Sequence, residues 1–249
     1  MNLQPAISNA LGEIIDYTIT KSAKAASARK PFIILGHGLT GDKDRALQLA
    51  VSDALNAAGY DTCRISFSGN GESGGRFVDS TISKEVNDLR STITALAPHG
   101  RPIAYIGHSM GGAVGVLAAS VDHRIRYLVS LAGMVETKRF AETEFGDVTP
   151  DEGIMWDEPD CPLSQVFMTD LTETIVSTLP AARKIRVPWL LIHGMEDDVV
   201  LPSDSMAAKQ NNETDAELLL IEGADHLFSN PEHMQQATEA IVNWLNRLT

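Results

Sequence analysis

Two hydrophobic periods alternate along the chain. Short, largely apolar runs at 32–35, 62–67, 103–106, 127–131, 189–192 and 218–221 predict strands buried on both faces. Between them, apolar positions three and four apart predict helices at 44–58, 83–96, 110–120, 203–211 and 231–248. Gly59 supplies a stop for the first of these helices, and Asn230 followed by Pro231 a start for the last. An earlier stretch, 13–20, predicts a peripheral strand, one arm of a hairpin whose connecting turn is 21–30. Strands separated by helices in this way imply an α/β fold, with a mostly parallel central sheet covered on both faces. In such sheets ligands bind beyond the carboxyl ends of the strands.

The alternation fails once, between 132 and 186. Pro150, Pro159, Pro162 and Pro180 interrupt that stretch, and only a short helix at 170–178 is predicted within it. A segment so long without strong periodicity is usually functional. It is read as a cap, at about 133–186, inserted into a single domain of 1–249. Met134, Met155, Trp156, Phe167 and Met168 are its candidates for lining an acyl or aryl pocket; the competing reading of each is ordinary packing.

The run at 103–106 leads into Gly107-His108-Ser109-Met110-Gly111, and a small-residue helical pattern leads out of it. A strand turning sharply into a helix lifts the middle residue of the turn into an exposed, strained position, and flanking glycines let neighbouring backbone approach. That is the geometry of a nucleophile, here Ser109. The motif alone is common by chance, so its weight rests on context and on partners downstream. Two are present. The strand at 189–192 breaks at Gly194 into an acidic loop holding Asp197 and Asp198, and the strand at 218–221 ends at Gly223, just before Asp225 and His226. His226 is the candidate general base, because it alone among the histidines follows the final strand on a short loop. His37 and His193 sit beside glycines at strand ends and read as loop-shaping residues, and His233 as a surface residue of the last helix. His99, His108 and His123 are further competitors. Asp197, Asp198 and Asp225 all remain candidates for the acid that orients His226.

The order Ser109, Asp, His226, together with two upstream segments, resembles the α/β-hydrolases over nearly the whole chain. Pro31-Phe32-Ile33-Ile34-Leu35-Gly36-His37-Gly38-Leu39-Thr40-Gly41 resembles the His-Gly oxyanion loop of that superfamily. Arg64-Ile65-Ser66-Phe67-Ser68-Gly69-Asn70-Gly71-Glu72-Ser73 resembles its Arg-x-Asp-x-x-Gly-x-Gly-x-Ser loop, with Ser66 where Asp is common and Asn70 where His is common. The combination is most similar to small feruloyl/cinnamoyl-type esterases; monoacylglycerol-lipase-like and serine-aminopeptidase-like members share most of the motifs. The resemblance implies a Ser109–His226–Asp197 triad and an oxyanion hole built from the backbone N–H groups of Leu39 and Met110.

Composition narrows the partners. The chain has 249 residues, 43% of them hydrophobic, and a net charge of −13, which argues against nucleic acid and anionic membrane surfaces. The negative charge is uneven: ten acidic residues and no Lys or Arg lie between Phe140 and Glu173. They read as a solvated face, or as an insert that repels anionic substrates from the mouth of a site. No apolar run is long enough to span a bilayer, and 1–16 lacks the pattern of a secretory signal. Cys63 and Cys161, far apart in sequence, read as free thiols in a reducing compartment, and a cytoplasmic location is expected. No metal-ligand spacing is present, and serine chemistry calls for no cofactor.

The leading expectation is thus a serine hydrolase acting on a small-molecule carboxylic ester through an acyl-enzyme. Two alternatives are an amidase, peptidase or thioesterase with the same triad, and a non-catalytic binding module. Retention of all three triad residue types disfavours the latter.

Overall fold

The computed structural model describes residues 5–23, 30–96 and 101–249. In chain order its strands and helices are β1 (Ile7–Ser8), β2 (Ile14–Ile15), β3 (Tyr17–Thr20), β4 (Phe32–Gly36), α1 (Ala46–Ala57), β5 (Thr62–Ile65), α2 (Ile82–Leu96), β6 (Ile103–His108), α3 (Met110–Ala119) and β7 (Ile125–Leu131). Then follow α4 (Thr137–Phe145), α5 (Gln165–Thr169), α6 (Leu179–Ala182), β8 (Trp189–Gly194), α7 (Pro202–Asn211), β9 (Glu217–Ile221) and α8 (Pro231–Leu248).

Seven strands form one sheet in the order β3-β5-β4-β6-β7-β8-β9, and only the edge strand β3 runs antiparallel to its neighbour. The mostly parallel α/β architecture expected from the alternation is present. The predicted strand at 13–20 is split: Ile14–Ile15 pairs with Ile7–Ser8 in a small separate sheet, while Tyr17–Thr20 extends the main one. Most of the turn expected at 21–30 lies outside the described residues.

Alternate residues of the strands enter two cores. Ile34, Cys63, Tyr105, Leu128 and Leu191 pack beneath α2 and α3, while Ile33, Leu35, Ile106, Val129 and Ile192 pack beneath α1 and α8. The period of two along each strand therefore feeds both faces with apolar side chains, which is why the runs read as continuous. The strand order reverses direction at β4: β5 lies on one side, β6 and later strands on the other. A crevice opens where connections diverge in this way, here between the ends of β4 and β6. The two ends are level, since Gly36 pairs with Gly107.

The segment between β7 and β8 packs back onto the first core rather than standing clear of it. Asp204 on α7 accepts hydrogen bonds from the N–H groups of Val135 (2.8 Å) and Glu136 (2.9 Å) and is ion-paired with Arg139. Asp170 accepts from the hydroxyl and N–H of Ser83, at 2.5 and 3.1 Å, tying the far end of the segment to α2. The short helix expected at 170–178 starts earlier. Ser164 caps α5 by accepting the N–H of Phe167, and the chain then continues through a wider π-type turn, Asp170–Ile175.

Candidate active site

Ser109 occupies the single position between β6 and α3, with φ 53° and ψ −120°. Side chains other than glycine rarely adopt that conformation, and it persists only where surroundings impose it. Here its N–H donates to the Leu131 carbonyl (2.9 Å), and its own carbonyl accepts from Gly112 (2.8 Å) and Met134 (3.0 Å). A Cβ on Gly107 would collide with the Gly111 carbonyl, and one on Gly111 with the carbonyl of His37. Both glycines of the motif are therefore required by close backbone approach.

Asp197 lies in the loop after β8 and is 4% exposed. Its Oδ1 accepts the N–H groups of Val199 (3.0 Å) and Val200 (2.9 Å). Its Oδ2 lies 2.7 Å from His226 Nδ1 and 3.2 Å from His193 Nε2. Burial by itself would raise the carboxyl, but the hydrogen bonds from His193, His226 and Val200 outweigh it and hold Asp197 well below the usual carboxylate range. With Nδ1–H committed to that anion, His226 keeps a bare Nε2. Asp198 is exposed, and Asp225 accepts the N–H of Ser229 at 2.7 Å. Of the three acids considered, Asp197 is the one bonded to His226.

Two further histidines brace this arrangement. His108 Nε2–H donates to the His226 carbonyl (3.0 Å), with the two rings 4.9 Å apart. Burial, then the proximity of His226, depresses its pKa to about 3. His37 donates from Nδ1 to the Gly38 carbonyl (2.7 Å) and accepts the Phe67 N–H at Nε2 (2.9 Å), and burial depresses its pKa to about 4. His37 therefore joins the His-Gly loop to the loop after β5. In that second loop the departures are accommodated by hydroxyls. Ser66 Oγ accepts the Lys43 N–H at 3.1 Å, Ser73 Oγ donates to the Ser66 carbonyl at 2.7 Å, and Ser68 donates to Asp88 through both its N–H and its hydroxyl. Asn70, standing where His is common, is buried and turns its amide toward the Ser68 carbonyl at 3.4 Å.

Ser109 and His226 line one cavity of about 830 Å³. Its floor is His37, Gly38, Leu39 and His108; α1 contributes Leu47 and Gln48, and the far side Val199, Leu227 and Met234. The N–H of Met110, first in α3, has no helical partner by construction; neither it nor the Leu39 N–H carries a hydrogen bond among the described residues. Of the five residues expected to line an acyl pocket, only Trp156 is on the wall. Met134, Met155 and Phe167 are buried in the first core, and Met168 packs against it, because the segment between β7 and β8 folds down onto the sheet. Arg45, immediately before α1, also reaches the wall, as do Glu158, Asp198 and Asp225. His123 is exposed, His233 is half-buried at the start of α8, and His99 lies outside the described residues. The role of His193 beside Asp197 was missed, although its spacing of four residues was visible.

Comparison with known proteins agrees with this architecture. Residues 27–148 match the hydrolase family described as serine aminopeptidase, S33. The palmitoyl-protein thioesterase ABHD10, mitochondrial, of Homo sapiens is 25% identical over 240 residues, covering 91% of this chain and 76% of that protein. Among solved structures, Est1E from Butyrivibrio proteoclasticus with bound ferulic acid has a TM-score of 0.86 at 24% identity, covering 98% of both chains. The monoacylglycerol lipase of Paleococcus ferrophilus has a TM-score of 0.74 at 20% identity, covering 93% of this chain and 98% of its own. The chain has the α/β-hydrolase fold and is similar to members of that superfamily. Among the described residues no helix is long and apolar enough to cross a membrane.

Proposed function

We propose that this protein is a serine hydrolase that cleaves small-molecule carboxylic esters through an acyl-enzyme. The observation that carries the reading is the 2.7 Å contact from His226 Nδ1 to the buried Asp197 carboxylate, on the same cavity as the strained Ser109. Ser109 Oγ attacks the ester carbonyl carbon while its proton passes to His226 Nε2. The oxyanion that forms is held by the Leu39 and Met110 N–H groups. His226 then returns the proton to the departing alkoxide as the acyl–oxygen bond breaks, leaving Ser109 acylated. Water, deprotonated by the same His226, attacks the acyl carbonyl, and collapse of that intermediate releases the acid and restores Ser109. Asp197 orients His226 and stabilises the imidazolium without taking its proton.

The cavity's largely apolar lining and the Trp156 ring on its wall suit an acyl or aryl group of moderate size, as does the likeness to a structure holding ferulic acid. A second reading is an acyl thioesterase using the same residues; the thioesterase named among the relatives favours it. The test is a panel of p-nitrophenyl esters of graded acyl length, methyl hydroxycinnamates and an acyl thioester, alongside a serine-directed phosphonate. Stoichiometric labelling at Ser109, with turnover abolished in Ser109→Ala, is expected. A folded protein left unlabelled would rule the reading out, and a thioester rate far above every ester rate would move it to the second class.

A further inference from the structure

Asp197 Oδ2 is shared between two imidazoles, and only one of them faces the cavity. His193, at the end of β8, is wholly buried. Its Nε2 lies 2.8 Å from the Val200 carbonyl and 3.2 Å from Asp197 Oδ2. Both neighbours are acceptors, so Nε2 carries the proton. Its Nδ1, 2.7 Å from Ser205 Oγ on α7, must then accept from that hydroxyl. Ser205 is also wholly buried, so α7 fixes the tautomer of a histidine that does not line the cavity. We infer that His193, held by Ser205, is a positioning residue that competes with His226 for Asp197 and so sets the pH below which the base stops working.

The inference rests on the triad reading above. The His193 Nε2–H donates to the Val200 carbonyl at 2.8 Å and lies 3.2 Å from Asp197 Oδ2, so its partial positive charge draws on the same carboxylate oxygen and weakens the pull on the His226 imidazolium. Removing the His193 donor concentrates the anion on His226 and stabilises its protonated form. Other titratable groups adjoin this pair by contact or as chain neighbours. They are His108, whose N–H goes to the His226 carbonyl, Asp225, turned toward Ser229, and Asp198, exposed on the cavity wall.

The experiment is a kcat/KM–pH profile for wild type, His193→Leu and His193→Gln, each titrated for active sites with the phosphonate. In His193→Leu the acid limb should move to higher pH by roughly half to one unit, less than the about one to two units that a full hydrogen bond to a charged group would carry. The loss of kcat/KM should be concentrated in the limb and recover toward the plateau at higher pH. His193→Gln keeps a donor and should restore the wild-type limb. An unmoved limb in His193→Leu, or a uniform loss at every pH that His193→Gln does not rescue, would overturn the inference. Should His193→Leu not fold, imidazole ¹⁵N shifts of the wild type decide. Protonated Nε2 with bare Nδ1 supports the pair, and the opposite tautomer sinks it. Absence of Ser109 labelling in the wild type would instead refute the underlying hydrolase reading.

Discussion

Two buried carboxyl groups, one beyond the end of β8 and one in the first turn of α2, are treated in opposite ways. Asp197 is surrounded by donors: two backbone N–H groups on one oxygen and two imidazoles on the other. Glu85, 1% exposed, has no hydrogen-bond partner for either carboxyl oxygen among the described residues. Burial, then the neighbouring Asp88 and Asp170, pushes its pKa well above the usual range, so it is held as the neutral acid. The contrast teaches that burial alone does not decide whether a carboxyl is charged; the supply of donors does. At the sheet's end the donors maintain an anion beside His226, where the proposed mechanism would form an imidazolium. Against α2 nothing maintains one, and the group is a cost to the scaffold.

The largest expected effect breaks the anionic side of the comparison. Asp197→Asn should lower kcat by about 10³–10⁴, because the amide can present its N–H to His226 and select the wrong tautomer. Asp198→Asn should change it by less than about threefold, which steady-state kinetics on the best ester of the panel would check. Loss of equal size in Asp198→Asn would mean that the acid has been misassigned.

A smaller effect sharpens the neutral side. Glu85→Leu should stabilise the fold by about 1–3 kcal/mol, since an unsatisfied buried polar group is replaced by an apolar one. Urea unfolding would measure it, with turnover of the best substrate of the panel as a control expected to stay unchanged. The gain should be larger at pH 8 than at pH 4. A group whose folded pKa is raised contributes fully below its unfolded value near 4.5, and that contribution is lost as pH rises toward the folded one.

The last prediction separates the two regions by pH alone. His37 and His108 are neutral in the fold, with pKa values of about 4 and about 3 against an ordinary 6.5. Between pH ~6.5 and ~4 the unfolded chain therefore binds protons that the folded chain refuses, and stability falls as pH drops. Asp197 acts in the same direction lower down. Its carboxyl is depressed, so its contribution is present above an unfolded value near 3.8 and disappears below it. His108→Gln should flatten the fall between pH 6.5 and 4, measured by Tm across that window, and an unchanged slope would show that His108 is not held neutral.

Much of this was readable beforehand, for local reasons. The central strands and long helices fell within a few residues of expectation because each satisfies its own period. The turn at Ser109 was readable because two glycines and a small-residue helix are needed wherever strand, turn and helix backbones meet. The second loop was readable in outline, although what holds it, the hydroxyls of Ser66, Ser68 and Ser73, depended on partners as distant as Lys43 and Asp88. The segment between β7 and β8 was read less well. Its methionines and Phe167 carry no periodic signal that separates a pocket wall from a core, and they went to the core.

The amino-acid sequence by itself determined the layered α/β plan, the sharp turn at Ser109 and the ordering of Ser109, Asp197 and His226 along the chain. These depend on interactions within a few residues, or on a period that each element carries alone. Only the tertiary structure decided that Asp197 rather than Asp198 meets His226, that Trp156 alone of five candidates reaches the cavity, and that His193 shares the carboxylate. Each of those outcomes depends on where side chains from separate strands and loops arrive in space. Neighbouring residues such as Asp197 and Asp198 are equivalent in composition and opposite in direction, and that difference exists only once the backbone around them is folded.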